Sequence, residues 1–135
     1  MNEQHSVLQA AAQLVEAFAR NDREAYFAAF SVDASFVFHT LDQPLLSRAA
    51  YQALWDRWRR EDGFEVLSCT SSNAFVSLQG DVAIFLHDVA TELRVQGEQL
   101  FSQERETIVF RREQQGRWLA CHEHLSAMPE GLPPP

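Results

Sequence analysis

The spacing of apolar residues changes once along the chain, close to Gly63. Before this point apolar positions recur every three or four residues, as they do on one face of a helix. After it they alternate with polar positions, as they do along a strand. Three glycine turns divide the alternating part at similar intervals: Gln79-Gly80-Asp81, Gln96-Gly97-Glu98 and Gln114-Gln115-Gly116. The second half of the chain is therefore predicted to form a four-stranded antiparallel meander.

Three helices and one further strand are predicted in the first half. The first helix runs from Ser6 to Arg20 and buries one apolar stripe. Asn21, with Glu24 three residues later, resembles a capping box that opens a short second helix. Ser47 is predicted to cap the third. The second helix carries Tyr26, Phe27 and Phe30, the strand covers Ser35 to His39, and the third helix carries Tyr51, Leu54, Trp55 and Trp58 on one face.

The last two predicted strands, residues 104–126, place carboxylates among apolar side chains. On one face of the first strand lie Glu104, Glu106, Ile108 and Phe110, and by the same parity Leu119, Cys121, Glu123 and Leu125 share a face of the second. A carboxylate among apolar neighbours is costly to bury unless it is paired or protonated. This hairpin is therefore predicted to form the wall of a pocket.

The opposite face of the same hairpin is predicted to lie outward. It carries Arg105, Thr107 and Val109 from the first strand and Trp118, Ala120, His122 and His124 from the second. A sheet face with an apolar, tryptophan-bearing centre is unlike a solvated surface, so we expect it to form the interface of a homodimer. In this interpretation Arg105, Thr107, Val109, Trp118, His122 and His124 are interface residues.

Helices at the start and strands at the end predict an α+β fold, in which three helices pack on a strongly curved, mostly antiparallel sheet. A length of 135 residues suits one domain, which we assign to residues 1–127. Residues 128–135 lack a core pattern and are predicted to form a mobile tail. The chain contains no apolar run long enough to span a membrane and no basic start of a signal peptide, so a cytoplasmic location is expected.

The net charge, the lack of lysine and the spacing of the cysteines argue against several classes of function. The net charge is -8 and the chain contains no lysine, which excludes enzymes that use a lysine Schiff base or a phosphate-binding Walker lysine. The acidic balance also argues against a nucleic-acid partner. Cys69 and Cys121 lack metal-site spacing and are expected to be reduced structural thiols. No cofactor is expected.

The run from Arg105 to Ser126 carries a resemblance to a known family. It contains R-x-T at Arg105 and Thr107, G-x-W at Gly116 and Trp118, and H-x-H-x-S ending at Ser126. With the order of helices and strands, this run resembles the NTF2-like superfamily, and within it the SnoaL-like group and the calcium/calmodulin-dependent kinase association domain. The resemblance covers the chain from about Val7 to Ser126. It implies a cone-shaped fold with a pocket between the helices and the concave sheet, and a homodimer through the outer sheet face.

Ketosteroid isomerases share this fold, and the resemblance implies where their catalytic groups would fall. Their acidic hydrogen-bond donor matches Glu106, whereas their basic aspartate falls at Phe38 and their tyrosine donor at Leu14. Two of the three positions are apolar here, which argues against the steroid isomerase reaction. Members of the superfamily also include dehydratases, cyclases and domains that only assemble other proteins, so the fold alone leaves the function open.

Glu106 and Glu123 are the main catalytic candidates, with His87 as a third acid or base. Crowded carboxylates in an apolar cavity have raised pKa values and can exchange protons near neutral pH. The alternative is that Glu104 and Glu106 lie near an open rim and pair with arginines, and that His87 is a hydrogen-bonded core histidine. His122 and His124 project from one side of a strand and could bind a metal ion, but no third ligand is indicated and no metal is expected.

The predicted pocket is lined mainly by aromatic residues and suits a small hydrophobic or aromatic molecule. Its expected lining is Tyr26, Phe30, Phe38, Trp55, Trp58, Phe85, Glu104, Ile108, Cys121 and Leu125. Two functions remain open: a small-molecule-binding protein with acid–base chemistry of the isomerase, dehydratase or cyclase kind, and a non-catalytic dimerisation or association scaffold.

Overall fold

The computed structural model describes residues 2–129, which form three helices and five strands. In chain order these are α1 (Glu3–Ala19), α2 (Arg23–Ala28), β1 (Phe30–Phe38), α3 (Arg48–Asp62), β2 (Glu65–Gln79), β3 (Val82–Val95), β4 (Glu98–Arg112) and β5 (Trp118–Ala127). The number and order of the three helices and of the long strands in the second half are as predicted. Of the predicted mobile tail, residues 130–135 lie outside the described residues.

The five strands form one sheet in the order β1-β5-β4-β3-β2. β2 to β5 are antiparallel neighbours, so the predicted meander is confirmed, and β1 adds to β5 in parallel. The turn between β3 and β4 has positive φ at both Gln96 and Gly97, the backbone of a tight hairpin turn. The helices pack on one face of this curved sheet, which is the predicted α+β fold.

The helix ends follow from their capping residues, with one correction. Ser47 caps α3 as predicted, since its side chain accepts a hydrogen bond from the backbone N–H of Ala50. The cap of α2 is Asp22 rather than Asn21. Asn21 has a positive φ, and its side-chain oxygen instead accepts from the backbone N–H of Val66, which ties the α1–α2 turn to β2.

The second helix is shorter than predicted, and β1 begins earlier. Phe30 belongs to β1, where it pairs with Ala120, and the register shifts before Ser35 pairs with His122. Phe30, Phe36 and Phe38 have the same parity along β1, and all three are buried in the core.

A bulge in β5 reverses part of the predicted face assignment. Val109 pairs with His122 but Phe110 pairs with Ala120, so Cys121 is an extra residue without a partner. The parity of β5 therefore changes at this position. Trp118 is only 5% exposed and lies in the core with Ala120, while the side chains of Leu119 and Cys121 are on the outer face. The prediction that Trp118 lies in a dimer interface and Cys121 lines the pocket is wrong.

The environment of Trp118 explains its burial. Its indole N–H donates to Glu3 at the start of α1, at 3.0 Å, and Arg112 lies over its ring. The residue thus closes one end of the core, against the first turn of the first helix. Beyond the bulge, Glu123 and Leu125 point inward while His122 and His124 point outward, as predicted.

Candidate functional site

A cavity of about 500 Å³ opens between the helices and the concave face of the sheet. This volume lies within the range of roughly 300 to 1,000 Å³ that small-molecule sites occupy. Its wall is mostly apolar and comes from α1, α3 and strands β1 to β5: Leu14, Val15, Phe18, Phe38, Trp58, Phe64, Val89, Leu93, Val95, Leu100, Phe101 and Leu125. Polar side chains interrupt this apolar wall, which is the usual form of a site that binds an apolar molecule and orients one part of it.

Two glutamates form the polar centre of this cavity. Glu106 on β4 and Glu123 on β5 both line it, although they are only 6% and 3% exposed. They face inward from adjacent strands because Glu106 pairs with Leu125 and Glu123 pairs with Ile108. The two carboxyl groups are close enough for the charge of Glu106 to raise the pKa of Glu123. Two adjacent carboxyl groups with so little exposure cannot both ionise without strong repulsion, so the pair holds a proton over a wider pH range than either group would alone.

The environment assigns that proton to Glu123. Burial raises the pKa of Glu106 above its ordinary value. Burial raises the pKa of Glu123 further, well above the ordinary range, and the charge of Glu106 and the hydrogen bond to it act in the same direction. Glu123 is therefore the member of the pair that keeps its proton to the higher pH, and Glu106 is the member that ionises first. One cavity thus holds an acid and a base in direct contact.

His87 is a hydrogen-bond partner of Glu106 and does not itself line the cavity. Its Nε2 lies 2.5 Å from Glu106 Oε1, and its Nδ1 lies 2.6 Å from Ser71 Oγ. Burial lowers the pKa of His87 to about 4, so the ring is neutral near pH 7. The neutral ring then donates from Nε2 to the Glu106 carboxylate and accepts at Nδ1 from the Ser71 hydroxyl. His87 was predicted to act with Glu123, and the structure places it beside Glu106, outside the cavity lining.

Two tyrosines continue the hydrogen-bonded chain on the other side. Tyr26 donates to Glu123 Oε1 at 3.2 Å, and the hydroxyl of Tyr51 lies 3.3 Å from that of Tyr26. Since the Tyr26 proton is given to Glu123, Tyr51 donates to Tyr26. Burial raises the pKa of both tyrosines well above the ordinary value, so both stay protonated. Tyr26 therefore holds Glu123 at Oε1, and Glu106 lies beside the same carboxyl group.

A second polar group lies nearer the mouth of the cavity. His39 Nε2 is 2.6 Å from Glu104 Oε2, and Ser102 Oγ lies 3.4 Å from the other oxygen of the same carboxylate. Phe101 at the mouth is 74% exposed. The predicted position of Glu104 in the pocket agrees with the structure, and His39 also lines the cavity. Cys69 also lines the cavity, but burial raises its thiol pKa to about 11, so it is unreactive as a nucleophile near neutral pH.

The structure divides the predicted pocket residues into cavity and core. Tyr26, Phe38, Trp58, Glu104 and Leu125 line the cavity. Four others are fully or almost fully buried in the core beneath the cavity: Phe30, Trp55, Phe85 and Ile108. The inward face of the sheet and the apolar face of α3 extend beyond the cavity, so part of each packs in the core.

Tyr51 and Ser71 were not predicted as site residues. The stripe of aromatic residues on α3 was a signal for Tyr51. No pattern in the sequence marked Ser71, since its role depends on the register between β2 and β3.

The outer face of the sheet keeps part of its predicted composition. Arg105, Thr107, Val109, His122 and His124 all lie on it, and His122 is hydrogen-bonded to Ser35 of β1 at 2.8 Å. The centre that Trp118 was predicted to supply is occupied by Phe75 and Leu86, which pair across β2 and β3 and are 58% and 38% exposed.

Within residues 2–129, no helix is both long and apolar enough to cross a membrane. The described part of the chain also brings together no group of three His, Cys, Asp or Glu side chains that could hold a metal ion.

The comparisons with known proteins agree with this architecture. Residues 7–130 match the family model of the SnoaL-like domain. An NTF2-like protein from Cytophaga hutchinsonii has a TM-score of 0.80 at 15% identity, with 95% of this chain and 100% of that chain covered. A ketosteroid isomerase-like protein from Erwinia carotovora atroseptica has a TM-score of 0.79 at 16% identity, covering 95% and 98%.

A protein from Xanthomonas campestris, assigned as a calcium/calmodulin dependent protein kinase II association domain, has a TM-score of 0.76 at 20% identity, covering 96% of this chain and 91% of that chain. At these identities the structural likeness shows the fold, and it confirms the fold that the sequence resemblance implied. The comparison with curated proteins found no match.

Proposed function

The chain belongs to the SnoaL-like domain family, and from that premise we propose that it binds a small, apolar, uncharged molecule and catalyses proton transfer on it. The observation that carries the proposal is the pair of buried glutamates, Glu106 and Glu123, which line a mostly apolar cavity from adjacent strands. A paired acid and base serves reactions in which one proton is removed while another is added, such as an isomerisation or the elimination of water.

The roles follow from the protonation of the pair. Glu106, the carboxylate, takes a proton from a C–H group next to a carbonyl, while Glu123 gives its proton to the carbonyl oxygen. The products are an enol, a protonated Glu106 and an ionised Glu123. In an isomerisation, the Glu106 proton returns to another carbon of an unsaturated enol. In a dehydration, the Glu106 proton goes to the β-hydroxyl, which leaves as water. In both reactions the enol O–H gives its proton back to Glu123, so the pair returns to its starting state. Tyr26 stabilises the ionised Glu123 by the hydrogen bond that it already donates.

The wall of the cavity supports an uncharged ligand. Among the described residues that line it there is no arginine, and four of its ionisable groups are carboxyls: Asp62, Glu104, Glu106 and Glu123. A carboxylate or phosphate group of a ligand would lose its hydration there without gaining an opposite charge. The positions that match the base and the tyrosine of ketosteroid isomerases, Phe38 and Leu14, both contribute apolar side chains to the cavity. The proposed chemistry therefore uses the Glu106–Glu123 pair rather than those groups.

Two measurements test this proposal. Fluorescence of N-phenyl-naphthylamine, an uncharged apolar probe, should rise on binding to the protein and fall when an indole fills the cavity in Leu93→Trp. Deuterium uptake from heavy water at the carbon next to the carbonyl of α-tetralone should be faster with the protein than without it. Glu106→Gln should slow this uptake by roughly 100-fold, the usual share of a general base. Glu98→Gln, on the same strand and exposed, is the matched control. Uptake that is unchanged in Glu106→Gln would refute the catalytic proposal.

The second candidate function is a dimerising scaffold, and the observation that favours it is the outer sheet face. Phe75 and Leu86 are exposed on it beside the half-buried Thr107 and Val109. An apolar centre with a polar, hydrogen-bonding surround fits self-association about a two-fold axis. The two candidates are compatible, since the cavity and the outer face lie on opposite sides of the sheet. A scaffold without catalysis would dimerise and yet leave α-tetralone exchange at its background rate.

A further inference from the structure

An apolar ligand that fills the cavity excludes water from the mouth, and this raises the question of how the buried carboxyl pair exchanges protons with solvent. We propose that Ser71 and His87 form a proton path from solvent to Glu106 that avoids the mouth. The inference deepens the proposed function and rests on it for its purpose, although the path itself can be measured without any substrate.

The path consists of two short hydrogen bonds. The hydroxyl of Ser71 lies 2.6 Å from Nδ1 of His87, and Nε2 of the same ring lies 2.5 Å from Oε1 of Glu106. The imidazole thus joins a hydroxyl on β2 to a carboxyl on β4 across the intervening strand β3. Both ring nitrogens are used, which is the arrangement in which a histidine can accept a proton on one side and release one on the other.

The exposure of the three residues shows which end of the path meets solvent. Ser71 is exposed, whereas His87 is 1% exposed and Glu106 is 6% exposed. Ser71 lies on β2, the last strand of the sheet, just before the register shift between Ser72 and Phe75. Neither Ser71 nor His87 is among the residues that line the cavity. The outer end of the path therefore meets solvent at a sheet edge, while its inner end meets the site.

The chemistry of one transfer balances with water as the only partner. A hydronium ion gives a proton to Ser71 Oγ as the Ser71 hydroxyl proton moves to His87 Nδ1 and the Nε2 proton moves to Glu106. The result is a protonated Glu106 and the opposite tautomer of a neutral His87, and the reverse sequence removes the proton. The ring never has to carry a net charge, which suits its burial. The other ionisable groups that act on the ring are Glu123, which holds the proton of the pair, and Asp88, which is itself bound to Asn73 at 2.8 Å.

The same contacts would also exist if His87 and Ser71 only held Glu106 in place. A purely structural role predicts that the exchange of protons depends on the mouth alone. The two roles therefore predict different exchange rates when the mouth is closed. Loss of activity or stability in a variant does not distinguish them, because both roles predict such a loss.

The experiment follows the two tautomers of His87 by nuclear magnetic resonance in protein labelled with nitrogen-15 histidine, because each passage of a proton from Ser71 to Glu106 converts one tautomer into the other. Nitrogen-15 relaxation dispersion gives the rate of this tautomer exchange, first with the cavity empty and then with the mouth closed. The mouth is closed by saturating N-phenyl-naphthylamine and, independently of any ligand, by Leu93→Trp. With the mouth closed, the parent protein should keep its exchange rate. Ser71→Ala should lower the rate at least about tenfold, whereas Ser71→Thr keeps the hydroxyl and should keep the rate.

Ser72→Ala is the matched control, because it removes a hydroxyl from the next residue, on the outward face. A signal broadened by exchange counts as fast exchange, and Ser71→Ala should then sharpen it. Two results would overturn the path: exchange that stops in the parent protein when the mouth is closed, or a rate in closed Ser71→Ala equal to that of the parent. Absence of α-tetralone exchange would remove the proposed reaction but leave these rates unchanged, so the two failures are distinguishable.

Discussion

Replacement of Glu123 by glutamine tests the protonation of the carboxyl pair through its effect on stability. Glutamine has the shape of a protonated glutamate, and its amide can donate to Glu106 and accept from Tyr26. At low pH, where Glu123 is protonated in both the folded and the unfolded chain, Glu123→Gln should change the free energy of unfolding by less than about 1 kcal/mol. The stability difference measured at low pH is the reference for the differences measured at higher pH.

The difference should then change with pH in a defined direction. Burial raises the pKa of folded Glu123 well above its ordinary value of 4.5. A raised carboxyl pKa means that the favourable contribution of this group is complete below pH 4.5 and is lost as the pH rises towards the folded pKa. Each pH unit in that window is worth about 1.4 kcal/mol. Between pH 5 and 7, Glu123→Gln should therefore gain stability relative to the parent protein, by at most about 3 kcal/mol.

Urea denaturation at a series of pH values measures this difference. Glu98→Gln, an exposed position on β4, controls for the loss of one negative charge from the molecule. Glu106→Gln should show a smaller change with pH than Glu123→Gln, because the proton is assigned to Glu123. Parallel stability curves for Glu123→Gln and the parent would refute the raised pKa, and a larger effect in Glu106→Gln would place the proton on the other carboxyl group.

Three further outcomes are expected. Trp118→Ala should lower the free energy of unfolding by roughly 3 to 5 kcal/mol, because the indole is buried in the core; a loss below about 1 kcal/mol in urea denaturation would contradict that placement. Burial lowers the pKa of His87 from 6.5 to about 4, so the parent should lose stability as the pH falls through this window, and His87→Gln should not show this loss; equal slopes would contradict it. Leu86→Arg should yield monomers by light scattering if the outer face is a dimer interface, and a parent protein that is itself monomeric would exclude that interface.

The fold could be predicted from the sequence because its signals are local. The change from helical spacing to alternation near Gly63, and the three glycine turns after it, are sufficient to predict the meander. The carboxylates of Glu106 and Glu123 could also be placed on an inward face, since each lies in a region of undisturbed alternation. Parity within a strand is reliable as long as no extra residue interrupts it.

The errors arose where the chain departs from that regularity. The bulge at Cys121 moves Trp118 from the outer face into the core, and no local pattern distinguishes a bulged cysteine from a paired one. The partners of His87 could not be predicted because they depend on the registers of β2 with β3 and of β3 with β4, which are set by long-range pairing. The extent of the cavity, which excludes Phe30 and Trp55, depends on how the helices rest on the sheet.

The central claim is that one proton is held in a buried glutamate pair inside an apolar cavity. Infrared spectroscopy at neutral pH tests it most directly, because a protonated carboxyl group has a C=O stretch that is separate from the bands of carboxylates. The parent protein should show this band near pH 7, Glu123→Gln should lack it, and Glu98→Gln should retain it. Absence of the band from the parent protein, or its persistence unchanged in Glu123→Gln, would contradict the shared proton and the acid–base function built on it.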